Sequence, residues 1–175
     1  MGISASKRVR ASFSNSPGFD SACYSSYSHC LSLTQHAFPG VFPYQLVTAS
    51  DHLHRTLSAL QPHSLVLKWV PSPPTPEQVD SALRAVIRRW PKNDDLPAQD
   101  QLLLGSAQFK EWAVDLFVDA VVSNAGKAVL RRVPLGIAGI TGIGAVTRSG
   151  KNLVGAAIGV YALGVATSVY LSLSG

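Results

Sequence analysis

Residues 152–173 read NLVGAAIGVYALGVATSVYLSL, and no charged side chain interrupts the run. As an α-helix these 22 residues reach about 33 Å, enough for a hydrocarbon core of about 30 Å. Helices buried in water-soluble proteins rarely run so long without a charge, so the stretch predicts a transmembrane helix. It decides the fold, because it divides the chain into a polar body and an apolar end. From Val133 to Gly175 the only charged residues are Arg148 and Lys151. Charged residues make up 14% of the whole chain, below the ~25% usual in soluble domains. The apolar excess is concentrated at the C-terminus.

Upstream lies VPLGIAGITGIGAVT, Val133 to Thr147, also uncharged. As a helix it covers about 22 Å, short of a full span. Two topologies follow. In one, 133–147 is the short first leg of a helical hairpin that turns at Arg148-Ser149-Gly150-Lys151. In the other, 152–173 is a single tail anchor. Arg131 and Arg132 sit where the positive-inside rule places cytoplasmic charge. Arg148 and Lys151 suit the tail anchor better, because a hairpin carries them across the bilayer. Gly155 and Gly159 form G-x-x-x-G, and Ala162 and Ala166 extend the small-residue spacing; Ala138 and Gly142 repeat it upstream. Such spacings let helices approach closely in lipid, which predicts self-association or packing on other membrane helices.

The opposite end raises the same theme. The chain starts Met1-Gly2-Ile3-Ser4-Ala5-Ser6-Lys7, an acceptor pattern for N-myristoylation at Gly2. One acyl chain binds membranes only marginally, and a second signal completes the anchor. Here the apolar C-terminal segment supplies it. The same basic, Ser-rich start, with Lys7, Arg8 and Arg10 and no acid before Asp20, also resembles a presequence for import into an organelle. No secretory signal is visible, since residues 1–17 lack a long apolar run. Residues 1–17 read as disordered.

Between the two ends, the patterns predict an all-α fold: a small helical N-terminal bundle over 18–132 and a Gly-rich C-terminal membrane segment over 133–175. Phe19, Cys23, Tyr27, Cys30 and Leu31 share one helical face. Phe38-Pro39-Gly40-Val41-Phe42-Pro43-Tyr44 breaks the chain. Leu53, Leu57 and Leu60 line a short helix within 50–60, on which His52 and His54 diverge. Ser64–Val70 reads as a strand or a short buried run, and 71–76 as a Pro-rich linker. Thr75, Pro76, Glu77 and Gln78 give a capped helix start, followed by an apolar stripe of Val79, Leu83, Val86, Ile87 and Trp90. From Ala98 to Arg132 the pattern predicts one or two further helices.

The remaining chemistry is sparse. The net charge of +5 is dispersed, with no dense basic run and no nucleic-acid motif, so the reading expects membrane lipids rather than nucleic acid as partner. Cys23 and Cys30, with His29 and His36, match no metal-ligand spacing; palmitoylation of either cysteine is a weaker second-lipid reading. Gly139–Gly144 is not G-x-G-x-x-G, and Gly144 with Gly150-Lys151 misses the phosphate-loop spacing. Asp94-Asp95 reads as a helix-start signal. No catalytic set emerges, and no cofactor or small-molecule substrate is expected. The sequence therefore predicts a non-enzymatic adaptor or assembly subunit, tethered at both ends with its bundle in the cytosol. Mitochondrial or plastid outer membranes are favoured over a thicker plasma membrane. An imported accessory subunit and an oligomeric pore are the competing readings; uncharged spans argue against ion conduction.

Overall fold

The computed structural model describes residues 2–60, 62–90, 102–146 and 151–174. Among these residues there are seven α-helices and no strand. They are α1 (Gly2–Ser14), α2 (Pro17–Leu33), α3 (Leu46–Arg55), α4 (Ser64–Trp69), α5 (Pro76–Ile87), α6 (Ser106–Val146) and α7 (Lys151–Leu171). A π-helical turn, Thr56–Leu60, continues α3, and a 3₁₀ turn, Ser172–Ser174, ends α7.

The local chemistry explains where the helices start. Ser16 caps α2, its hydroxyl accepting from the Phe19 amide at 3.2 Å, with Pro17 at the first helical position. Thr75 and Gln78 form the reciprocal capping box of α5, which satisfies two otherwise unpaired amides. The end of α2 is less comfortable. Gln35 and His36 take φ of 53° and 57°, left-handed conformations that cost L-residues free energy and that helices usually assign to glycine.

The bundle core is aromatic. Trp112, Phe13, Phe19, Phe109 and Phe117 are fully buried, each contributing about 1.5–3 kcal/mol by burial. Phe13 comes from α1, which also buries Ala5 and Val9. This corrects the expectation that residues 1–17 are disordered: Ala5, Val9 and Phe13 fall at i, i+4 and i+8, one helical face. An ion cluster reinforces the docking of α1. Asp115 on α6, only 8% exposed, accepts from both Arg10 on α1 and Arg89 after α5, and Arg89 also meets Glu111 at 3.3 Å.

Two further readings are resolved. Of the strand and the short buried run open for Ser64–Val70, the second holds: Ser64–Trp69 is a short helix whose Leu65, Val66 and Trp69 bury one side of its single turn and a half. Leu60, expected on an apolar face, is 78% exposed, because the π turn shifts the register of the last residues. Gly40 is needed where Val41 and Leu104 exchange two backbone hydrogen bonds of 2.9 Å, since a Cβ there would lie 2.8 Å from the Leu104 carbonyl oxygen.

The largest change concerns the boundary at 132/133. The structure has no break there. One helix, α6, runs from the bundle core through Pro134 to Val146. Proline removes the amide that would bond the Leu130 carbonyl, yet the helix continues, and in the same turn the Tyr161 hydroxyl donates to the Arg132 carbonyl at 3.2 Å. The predicted start of this helix at Ala98, the Asp94-Asp95 pair and the Pro91 stop lie outside the described residues.

Candidate functional site

Helix α7 packs antiparallel on the outer half of α6. Tyr161 lies against Gly136 and Arg132, while Ala166 and Val169 face the stretch from Val122 to Leu130. A Cβ on Gly136 would come within 2.0 Å of the Tyr161 ring, so this glycine is the seat for the aromatic side chain. Past Ala125 on α6, no described residue is buried until Val169 near the end of α7. The two helices thus project from the bundle as an arm. Its α6 portion, 126–146, and α7 are each about 31 Å long at 1.5 Å per residue.

The surface of the arm is apolar. Leu130, Leu135, Val160 and Leu163 are each at least 70% exposed, and Leu171 is 61% exposed. Of the 18-residue apolar window Val154–Leu171, only 6% is buried. A core helix of a soluble protein would be mostly buried. Each of these side chains would gain on the order of 1.5–3 kcal/mol on full removal from water. The arm is therefore a helical surface that calls for an apolar surrounding, and α7 is long and apolar enough to cross a membrane.

The C-terminal end of the arm returns to the bundle: Val169 and Leu173 are buried, the 3₁₀ turn contacts α1, and the Arg8 guanidinium lies 4.7 Å from the Tyr170 ring centroid. Within the fold, α6 and α7 thus form a helical hairpin whose apolar last turn covers α1 and α6.

The residues singled out in sequence are distributed along this arm. Arg131 and Arg132 are exposed on α6, about a turn and a half beyond the last buried residue. Lys151 opens α7, while Arg148 lies outside the described residues. Ala162 and Ala166 are half-buried toward α6. Gly155 and Gly159 are exposed, and a Cβ on either would meet nothing within 4 Å. The four small residues therefore do not form one interface. Gly136, which the spacing analysis passed over in favour of Ala138 and Gly142, is the small residue used inside the hairpin. Its signal was Tyr161, one of two tyrosines on the facing leg.

Gly2 is the first residue of α1. One turn later, Ala5 forms part of the wall of an apolar cavity of about 350 Å3 at the root of the arm. The rest of the wall is Val122, Ala125, Gly126, Val129 and Leu130 of α6, and Ala166, Val169, Tyr170 and Leu173 of the returning leg.

The other polar features are structural. Cys23 and Cys30 are buried. Burial, helped by the Asp20 charge, pushes the Cys23 thiol up to about 12; burial alone pushes Cys30 up to about 11. Thiols of this kind are poor nucleophiles, and both are shielded by the core. His52 Nδ1 and the Ser26 hydroxyl share a hydrogen bond of 2.9 Å and the His52 ring stacks on His29, whereas His54 donates to the Val70 carbonyl at 2.8 Å, so the two histidines do diverge. His63 stacks on Phe13 at 4.5 Å, and burial holds its pKa below the ordinary value against the pull of a Ser12 backbone hydrogen bond. Among the described residues no three His, Cys, Asp or Glu side chains group as metal ligands. Comparison with models of known protein families, with curated proteins and with solved structures finds no match.

Proposed function

We propose that this chain is a non-enzymatic, membrane-anchored adaptor or assembly subunit. Its helical bundle is held at the cytosolic face by the α6–α7 hairpin, and Gly2 carries a myristoyl group. The observation that carries the reading is the exposed apolar arm, in which Val154–Leu171 is almost entirely unburied by the chain itself. Lipid satisfies such a surface, and a helix satisfies its own backbone there. In the acylation step the Gly2 amine, freed by removal of Met1, attacks the carbonyl of an acyl thioester. A C–N bond forms, the C–S bond breaks, and the thiol leaves.

Arg131 and Arg132 mark the headgroup level, so the part of the hairpin beyond them is α6 from Val133 to Val146. That is about 21 Å, less than a bilayer of about 30 Å. The mismatch is met by a thin membrane and by long basic side chains snorkelling at either end, which supports an outer organelle membrane over the plasma membrane. Gly155 and Gly159 lie open beside the α6 contact and are offered to a further helix, from a second copy or another membrane protein.

The import reading loses support from α1. Cleavage near residue 17 would strip Val9 and Phe13, both fully buried, from the finished core. The pore reading would need a polar stripe to line a conduit, and the exposed large side chains described along the arm, Leu130, Leu135, Val160 and Leu163, are apolar.

The test is flotation of the full chain with liposomes, combined with intact mass of the protein from its own cells. The expected results are flotation that survives alkaline carbonate and a mass gain of one C14 acyl group on a chain lacking Met1. A chain that stays in the aqueous fraction, or one shortened by a presequence, would overturn the proposal.

A further inference from the structure

The cavity at the root of the arm sits next to the modified residue. Ala5, in its wall, is one helical turn from Gly2 on the same face of α1. Its walls are aliphatic carbon except for the Tyr170 ring. At about 350 Å3 it falls within the range of ligand pockets, which begin at about 300 Å3. It closes only because three elements meet: the first turns of α1, the middle of α6 and the last turns of α7. Arg8 on Tyr170 holds the first and last of these together at 4.7 Å.

We propose that this cavity holds the acyl chain joined to Gly2. The inference rests on Gly2 being myristoylated. Three features of the site suit a saturated fatty chain and no polar ligand. The wall offers no charged group and only one hydroxyl-bearing side chain. A chain tethered at Gly2, one helical turn from Ala5 in the wall, enters at high effective concentration. Acylation also converts a cationic amine into a neutral amide at the start of α1, where a positive charge opposes the helix dipole. In this arrangement the lipid ties α1 to both legs of the arm. Release of the chain into the bilayer would loosen the junction where arm and bundle meet.

Gly126 provides the test, because it lines the cavity and a Cβ there would meet nothing within 4 Å. Gly126→Leu directs a side chain into the space from a position whose Cβ is unobstructed and favours the helix. The full chain is co-expressed with an N-myristoyltransferase and a ¹³C-methyl-labelled C14 acyl donor, then placed in nanodiscs of deuterated lipid. The expected result is NOE contact between the acyl methyl group and the side chains of Leu173 and Val129, lost in Gly126→Leu while the helical signal is unchanged. Acyl contacts to lipid alone in the wild type would overturn the cavity proposal and leave the lipidation reading standing. Native protein whose mass lacks the acyl group would overturn both. Contacts that persist in Gly126→Leu would place the chain elsewhere on the protein and overturn the cavity.

Discussion

Phe13 shows how a single side chain changes the meaning of a segment. It is fully buried, 4.9 Å from Phe19 and stacked on His63, so the N-terminal helix belongs to the core. Phe13→Ala is expected to cost about 3–5 kcal/mol, read from urea unfolding of the full chain in mild detergent; a change under about 1 kcal/mol would mean that α1 is not docked. Its neighbour His63 gives the fold an acid limit. A histidine whose folded pKa is depressed binds fewer protons folded than unfolded. Stability is therefore full above about pH 6.5, the unfolded value, and falls as pH drops through it toward the lower folded value. His63→Phe should flatten the unfolding midpoint between pH 7 and 5; an unchanged slope would shift the acid sensitivity to other groups. His36, at φ 57°, carries local strain in the opposite sense. Replacement by glycine should stabilise the bundle by about 1 kcal/mol, measurable as a higher urea midpoint.

At the level of elements, legibility followed periodicity and capping. Thr75 to Gln78 announced α5, and the structure has its capping box in place. The face of α2 was legible from Phe19, Cys23 and Cys30, all buried. What was missed has physical causes. The stripe Ala5–Val9–Phe13 was hidden among Ser and basic residues that resemble a tail. Asp115 read as one polar residue on a helix, and its partners Arg10 and Arg89 are remote in sequence. Arg131 and Arg132 looked like a boundary, yet α6 passes through them, and through Pro134, with α7 packed alongside. The hairpin contact turns on one glycine. Gly136→Val would drive a side chain into the Tyr161 ring and should separate the legs, detected as loss of disulfide trapping between cysteines placed at Val133 and Tyr161's neighbour Ala162. Trapping equal to that in the parent would contradict this packing.

For the whole molecule, the division into polar bundle and apolar end was legible from the distribution of charge alone. The path of the chain was not, since hydropathy does not show that α7 folds back along α6. That return rests on Val169 and Leu173, whose burial against the bundle depends on tertiary contact. The result is a bundle with both chain ends gathered at the root of a two-helix arm. The measurement that bears most directly on this design places an environment-sensitive fluorophore, one at a time, at Leu135 and Val160 in a chain whose buried cysteines are replaced by alanine. The protein is reconstituted in vesicles that carry lipid-bound quenchers. Insertion of the arm predicts blue-shifted emission at both positions, quenched by the lipid-borne groups and not by aqueous iodide. Red-shifted emission quenched by iodide would mean that the arm stays in water or packs on another protein, and would contradict a membrane role for the hairpin.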